Sequence, residues 1–276
     1  MREAPLSVIA VGFFDGVHLG HRVILRGAGA ALTFRNHPLS VLAPERAPEL
    51  LMRPEERVAA IRECGVRDVI VLDFTPDVAT MGPGDFLRMA QARIGFTSIR
   101  CGANWRFGRG GEGDAEWLRS RGVSVEVVPY AEYAGLPVSS SRIRECLRNG
   151  AVEDAGAMLG RMLSVSARRF RGKGIGAEIG FPTVNFESDS PVLNLLPRGV
   201  YEVECGGMRG IANYGVAPTM GERAWNRPVL EVYFPEGGVP CESDSETVLF
   251  RRFIRPEQRF DSIDDLKVQI AKDCGK

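Results

Sequence analysis

The sequence predicts an α/β protein in two parts, a parallel sheet flanked by helices and then a mostly β region that a helix closes. In the first half, apolar runs typical of buried strands alternate with helical patterns. Beyond about residue 160, shorter alternating segments are separated by Gly and Pro, as in antiparallel sheets. With 276 residues and 44% hydrophobic composition, the chain is long enough for two domains.

The composition argues against several classes of partner. Lys+Arg and Asp+Glu are balanced at 35 each, so no nucleic-acid footprint is expected and any anion site must be local. The six cysteines lack metal-ligand spacing and indicate reduced thiols in a cytoplasmic protein. No apolar run reaches the length of a membrane span, and residues 1–5 lead into a strand rather than a signal peptide. We therefore expect neither nucleic acid nor a membrane as partner.

The first strand, residues 6–11, leads into a glycine-rich turn that holds His18 and His21. Glycines let the backbone approach a ligand closely, and a helix from about His21 would direct free N–H groups at the same point. Two imidazoles add hydrogen-bond donors, so the stretch predicts a phosphate site. A structural or zinc-binding histidine pair is the alternative, but no third ligand lies nearby in sequence.

The next elements predict a parallel sheet. A second strand is predicted at residues 30–34, which leaves few residues for the crossover from the first. Either this crossover is a helix of a turn or two, or residues are missing from the segment. A helix is expected over 53–61, a strand over 68–74 and a further helix near 85–90.

Two later stretches carry polar groups that suit a nucleotide. Residues 102–108 place Asn104, Arg106 and two aromatic residues between glycines, which fits either a pocket for a planar ring or an aromatic turn that only packs. Residues 139–144 place serines before a helix with arginines in its first turn. Serines there cap a helix, and the arginines would lie beside its natural anion site.

The second half contains predicted strands at 201–205, 210–214 and 229–234, between helices at 152–160 and 264–273. Glycines in residues 172–185 could cradle phosphates, and Thr183 with Asn185 offers two neutral oxygen ligands for Mg²⁺ on one face of an extended chain. A flexible basic loop is the alternative. Glu231 lies among apolar neighbours in a strand, where a carboxylate needs either a function or a partner such as Arg255.

Residues 12–21 read Gly-x-Phe-Asp-Gly-Val-His-x-Gly-His and resemble the nucleotidyltransferase signature of prokaryotic FAD synthetases. Residues 33–38, 102–108 and 139–144 are similar to further elements of that family. The resemblance implies a Rossmann-like domain, residues 1–158, that adenylylates FMN. It implies catalytic roles for His18, His21 and Arg142, and contacts to ATP or flavin from Gly12, Phe13, Asp15, Asn104, Arg106, Ser139, Ser140 and Arg144.

Residues 180–185, Gly-Phe-Pro-Thr-Val-Asn, resemble the signature of riboflavin kinases, as do 213–219 and 253–257. The resemblance implies a β-barrel kinase-like domain, residues 159–276, with a closing helix. It implies that Glu231 is the base, that Thr183 and Asn185 hold Mg²⁺, and that Gly172, Gly176 and Arg255 bind ATP or flavin. The sequence departs from that family at Ala177, at Tyr233 and in residues 240–243.

Taken together, the resemblances imply a bifunctional enzyme that phosphorylates riboflavin to FMN and adenylylates FMN to FAD, with ATP as co-substrate and Mg²⁺ as cofactor. Two alternatives remain. One is an FMN adenylyltransferase whose kinase-like domain is inactive, and the other is a non-catalytic flavin-binding protein.

Overall fold

The computed structural model describes residues 6–172, 175–215, 228–238 and 244–275. The chain divides into two compact units, Met1–Ser140 and Ser141–Lys276. The helices and strands of the first are β1 (Leu6–Val11), α1 (Leu19–Leu25), β2 (Ala30–Phe34), α2 (Leu39–Leu42), α3 (Pro54–Glu63), β3 (Asp68–Leu72), α4 (Pro76–Thr80), α5 (Pro83–Ile94), β4 (Phe96–Gly102), α6 (Ala115–Arg119), β5 (Ser124–Val128), β6 (Glu132–Tyr133) and β7 (Leu136–Pro137).

The first unit is built on a five-stranded parallel sheet in the order β3-β2-β1-β4-β5. Helices cover both faces, because side chains that alternate along β1 enter different cores: Ile9 and Val11 lie in one, and Ala10 lies in the other. The predicted parallel sheet is confirmed. The strand order reverses at β1, and in open α/β sheets ligands bind beyond the carboxyl ends of the strands at such a point.

The short crossover between β1 and β2 is the seven-residue helix α1. It begins at Leu19, earlier than the predicted start near His21, because the His18 side chain caps it by accepting a hydrogen bond from the His21 backbone N–H at 3.4 Å. Histidine is not among the usual capping residues, so the sequence did not indicate this start. The chain then turns directly into β2, with the Gly29 N–H donating to the Val8 carbonyl at 3.0 Å.

The second unit follows from α7, which begins at Ser140. Its elements are α7 (Ser140–Arg148), α8 (Val152–Leu159), β8 (Leu163–Phe170), α9 (Ile175–Glu178), β9 (Thr183–Glu187), β10 (Gly199–Cys205), β11 (Met208–Gly215), β12 (Val229–Tyr233), β13 (Ser245–Pro256) and α10 (Ile263–Asp273). The strands form a closed antiparallel barrel in the order β10-β11-β12-β9-β8-β13. Phe186, Tyr201 and Phe250 are among its fully buried side chains.

Several strands were not predicted. β8 alternates buried with exposed positions, and β4, β5 and β13 mix buried with partly or fully exposed ones; charged or polar residues at the less buried positions obscure the apolar signal. Arg168 and Arg169, for example, are exposed near the end of β8. The flexible-loop alternative for residues 172–185 is wrong in its described part, because this part includes α9 and the start of β9.

Candidate active sites

The turn after β1 holds an unusual backbone conformation. Phe14 and Val17 have positive φ angles of 58° and 41°, a region that bulky side chains seldom adopt, and Gly16 between them has φ 81°. Such strain persists where the surroundings enforce it, often at functional sites. Gly12 is required for packing, because a Cβ there would lie 2.8 Å from the Phe14 ring. The glycine-rich turn is therefore a fixed structure.

His18 and His21 stack on each other, with ring centroids 3.6 Å apart and planes inclined by 18°. His18 is buried, and a Cβ at Gly20 would lie 3.3 Å from its ring. Burial lowers the pKa of His21 well below its ordinary value, and the nearby His18 and Arg57 lower it further, so His21 is neutral at pH 7. Its Nδ1 is buried and has no hydrogen-bond partner in the described part of the chain.

Hydrogen bonds to neighbouring segments fix Asp15 and Phe13, two residues of the glycine-rich turn. The buried Asp15 carboxylate accepts the Leu51 backbone N–H at 3.1 Å to each oxygen, and the Ser140 hydroxyl donates to the Asp15 carbonyl at 2.9 Å. Phe13 is held by Thr33, whose hydroxyl donates to its carbonyl at 2.9 Å. Ser140 and Asp15, both predicted from the sequence, are thus in direct contact.

The guanidinium of Arg57 lies 4.2 Å from the centroid of the Phe13 ring, and the whole side chain is buried. Arg57 was not predicted as a site residue, because its position in the pattern of α3 does not distinguish it from a solvent-exposed arginine. Its complete burial is visible only in the fold.

The stretch after β4 serves mainly for packing. Trp105 and Phe107 stack with centroids 4.7 Å apart; Phe107 belongs to the core and Trp105 packs against it, and a contact of this stretch to a planar ring stays a prediction. Arg106 forms an ion pair with Asp114 at 2.5 Å, and Asn104 is exposed. A Cβ at Gly102 would lie 3.5 Å from the Ile24 side chain of α1 and 3.7 Å from Oδ1 of Asn104.

The remaining predicted residues of the adenylyl site lie at the start of α7. Ser139 directly precedes the helix, Arg142 is half-buried and Arg144 is buried. Each has an interaction partner in the structure. Their assignment to the phosphates remains a prediction.

The predicted kinase residues meet on the outer face of the barrel. Glu231 of β12 pairs with Asn185 of β9 and Asn213 of β11, and Tyr233 pairs with Thr183. Side chains of directly paired residues point to the same face of a sheet. The neighbouring side chains Val184, Phe186, Leu230 and Val232 are buried in the barrel interior.

Two predicted glycines cover this face closely. A Cβ at Gly172 would lie 2.2 Å from Nδ2 of Asn185, and one at Gly176 would lie 2.4 Å from the Phe181 carbonyl oxygen and 3.2 Å from Oγ1 of Thr183. The contacts at 2.2 and 2.4 Å are closer than real Cβ atoms make. The structure therefore brings Gly172, Gly176, Thr183, Asn185 and Glu231 into one region.

Burial raises the pKa of the Glu231 carboxyl above its ordinary value. Within the described ranges, no hydrogen bond or ion pair reaches this carboxylate. Arg255 instead pairs with Asp273 of α10 at 2.8 Å, so the alternative in which Glu231 pairs with Arg255 is wrong. A half-buried carboxylate with no ion-pair partner among the described residues is costly for folding and suited to accepting a proton.

The outer-face residues also fit a divalent cation shared with a nucleotide. Thr183 and Asn185 supply neutral oxygens, which together with phosphate oxygens suit a hard ion such as Mg²⁺. Elsewhere in the described part of the chain, no group of three His, Cys, Asp or Glu side chains could hold a metal ion by itself.

Some predicted stretches lie outside the described residues. These are residues 1–5, Lys173 and Gly174, the last four residues of the 213–219 element, and residues 240–243. Among the described residues, no helix combines the length and apolar character that crossing a membrane requires.

A glycine-rich turn with a histidine pair at the switch point of a parallel sheet, together with a barrel face of Thr, Asn and Glu, defines an ATP-dependent transferase with two sites. Family models agree: that of FAD synthetase matches residues 1–142, and that of riboflavin kinase matches residues 159–276. The chain belongs to the family of bifunctional riboflavin kinase/FMN adenylyltransferases, enzymes of flavin cofactor synthesis.

Individual proteins are similar over nearly the full length. The bifunctional riboflavin kinase/FMN adenylyltransferase of Escherichia coli (strain K12) is 33% identical, covering 99% of this chain and 93% of that protein. The protein of the same name from Bacillus subtilis (strain 168) is 29% identical, covering 98% and 91%. A crystal structure described as a macrolide-efflux protein from Streptococcus pneumoniae superimposes with a TM-score of 0.85 at 27% identity, covering 100% and 94%.

Proposed function

We propose that this chain converts riboflavin to FAD in two ATP-dependent steps. Residues 159–276 phosphorylate riboflavin to FMN, and residues 1–158 transfer the adenylyl group of a second ATP to FMN. The observation that carries the proposal is that Thr183, Asn185 and Glu231 share one face of the barrel beneath Gly172 and Gly176. This arrangement favours a working kinase over a kinase-like domain that has lost its site.

In the adenylyl step, a phosphate oxygen of FMN attacks the α-phosphorus of ATP and pyrophosphate leaves. His18 and His21 stand at the N-terminus of α1, where their ring N–H groups and the helix end favour the charge that builds up on the phosphate oxygens. We assign Arg142 and Arg144 to the same phosphates. Gly12, Phe13 and Asp15 shape the turn, and Asn104, Arg106, Ser139 and Ser140 bind the substrates.

In the kinase step, a ribityl hydroxyl of riboflavin attacks the γ-phosphorus of ATP and ADP leaves. Glu231 accepts the hydroxyl proton. Mg²⁺ held by Thr183 and Asn185 would neutralise charge on the ATP phosphates. Gly172 and Gly176 bring the backbone close to those phosphates. We also retain Arg255 as a contact to ATP or flavin, at the end of β13 beside α10.

The partners that we propose are small molecules only: riboflavin, FMN and ATP. The balanced charge of the chain argues against nucleic acid as a partner, and the reactions use soluble metabolites, which favours a cytoplasmic enzyme without a membrane partner.

Flavin chromatography tests the proposal. The protein is incubated with riboflavin, ATP and MgCl₂, and a parallel sample receives FMN in place of riboflavin. We expect FMN and then FAD from riboflavin, and FAD from FMN, with both conversions stopped by EDTA and restored by excess Mg²⁺. If FAD formed only in the sample that received FMN, the kinase-like unit would be inactive. The contact of Tyr233 with the Phe181 ring would then be the candidate cause. No conversion in either sample would leave a flavin-binding protein.

A further inference from the structure

Arg57 of α3 has no exposed surface and is one of the largest fully buried side chains in the described chain. Its Nη2 donates to the carbonyls of Phe34 and Arg35, the second at 3.0 Å. Its Nε and Nη1 are buried as well, and neither has a hydrogen-bond partner within the described residues. Burying a guanidinium with unmet donors is costly, so a merely structural position would be better filled by an apolar residue.

The contacts of Arg57 link three segments at the carboxyl edge of the sheet. Phe34 ends β2, Arg35 follows it, and Phe13 begins the glycine-rich turn after β1. The Phe13 ring also contacts the His37 ring edge to face, with the two ring centroids 4.7 Å apart. Arg57 reaches both carbonyls through Nη2 while its central guanidinium carbon lies over the Phe13 ring. A lysine side chain is one atom shorter and ends in a compact ammonium, so it cannot place a planar group on the ring and a donor at the same carbonyls.

Arg57 also acts on the catalytic histidines electrostatically. Two groups act on His21 electrostatically, His18 at the cap of α1 and Arg57 on α3, and both lower the pKa of His21. Asp15 and Glu55 are the acidic groups that act on Arg57. The positive charge of the Arg57 guanidinium therefore favours the neutral form of His21.

We propose that Arg57 is a positioning residue for adenylyl transfer: by holding Phe13 and the end of β2, it fixes the turn that presents His21, and it does not touch the nucleotide. This inference rests on the proposed function of the histidine pair. A misplacement of about 1 Å at a reacting group can lower a rate by about 10²-fold, which sets the scale of the expected effect.

The test uses the full chain with two variants. Arg57→Met keeps an unbranched apolar stem but removes the charged guanidinium, and Arg57→Lys keeps the positive charge but removes the planar group. For both variants we expect kcat for FMN adenylylation to fall by about 10–10²-fold with little change in KM for ATP. Phosphorylation of riboflavin, which belongs to the other unit, should be unchanged. In ¹⁵N-histidine NMR, the titration midpoint of His21 should rise in Arg57→Met and stay near the wild-type position in Arg57→Lys.

Arg121→Met is the matched control, because the Arg121 guanidinium also lies over an aromatic ring, 3.6 Å from the Trp117 centroid, but at the surface. We expect wild-type rates from it. A folded Arg57→Lys protein with wild-type kcat would overturn the proposal, even if Arg57→Met fails to fold. A lower melting temperature with an unchanged rate per folded molecule would also overturn it. If His18→Ala retains adenylylation too, the proposed function itself fails; if only the Arg57 variants retain it, this inference alone fails.

Discussion

Two stacked imidazoles with centroids 3.6 Å apart cannot both carry a full charge without strong repulsion. The structure resolves this by burying His21, whose pKa is lowered accordingly, while His18 is held as the cap of α1. At the residue scale, His21 is therefore held in its neutral form and is suited to donating a hydrogen bond rather than to carrying a second charge.

Replacing His18 or His21 by alanine removes one donor from the phosphate charge that develops during adenylyl transfer. Loss of one such donor costs about 10²–10³ in rate, and we expect this loss in FAD formation from FMN. FMN formation from riboflavin should continue at the wild-type rate. A folded variant that loses both activities would contradict the assignment of the histidines to one step.

Glu231→Gln keeps the size of the side chain but cannot accept a proton. A positioned general base contributes about 10²–10⁴-fold, so riboflavin phosphorylation should slow by that range while adenylylation of supplied FMN hardly changes. Both rates are to be measured on one preparation. An unaltered kinase rate would remove Glu231 from the mechanism.

The raised pKa of Glu231 also predicts how stability depends on pH. In the window from the ordinary glutamate pKa up to the raised value, the unfolded chain loses its proton first, so this residue lowers the stability of the fold as pH rises. At pH 7, Glu231→Gln should therefore raise the melting temperature of the second unit, and at low pH the difference from wild type should vanish. A lower melting temperature at pH 7 would mean that the carboxylate has a stabilising partner.

At the element scale, the ion pair of Arg255 with Asp273 fixes α10 against β13. Only 17% and 4% of the two side chains are exposed, and breaking a buried pair from one side costs about 3–5 kcal/mol. We expect Asp273→Ala to lower the unfolding free energy by about that amount. Arg251→Ala, which breaks the more exposed pair with Glu204, should cost at most about 1 kcal/mol. Equal losses of unfolding free energy in the two variants would show that the Arg255–Asp273 pair stabilises the fold no more than an exposed ion pair does.

The two covering glycines of the barrel face make a steric prediction. Gly172→Ala and Gly176→Ala place a methyl group against Asn185 and the Phe181 carbonyl, so each should raise KM for ATP in the kinase step or abolish that step. Gly84→Ala in α5 is the control, because its methyl group would meet only the end of the Arg88 side chain at 3.6 Å. Wild-type kinase kinetics in both barrel variants would show that the close approach has no functional role.

How far the sequence predicted the elements depended on their burial. β1 and β2 were predicted with their observed bounds, because these central strands are mostly apolar and their residues 9–11 and 30–33 are buried on both faces. β8 was missed, because its exposed arginines obscure the alternation. The early start of α1 was missed as well, because it depends on a side-chain cap by His18.

The site residues fall into two groups, those that are local in sequence and those that only the fold brings together. The glycine-rich turn and the Thr183 to Asn185 stretch are local in sequence, so their motifs alone are enough to locate them along the chain. The pairing of Glu231 with Asn185 depends on the register of two strands far apart in the chain, and the burial of Arg57 depends on the packing of α3. Neither could be read from spacing.

At the scale of the whole molecule, the two units have separate hydrophobic cores, and the two family models match separate parts of the chain, residues 1–142 and residues 159–276. We therefore predict that the two steps can be lost independently and supplied by different molecules, with free FMN passing between them.

A complementation experiment tests this most directly. His18→Ala and Glu231→Gln are incubated with riboflavin, ATP and Mg²⁺, first separately and then mixed in equal amounts, and the flavins are separated by chromatography. We predict that His18→Ala accumulates FMN, that Glu231→Gln leaves riboflavin almost unchanged, and that the mixture forms FAD. If His18→Ala made no FMN, or if a mixture that accumulates FMN formed no FAD, the assignment of one reaction to each unit would be contradicted.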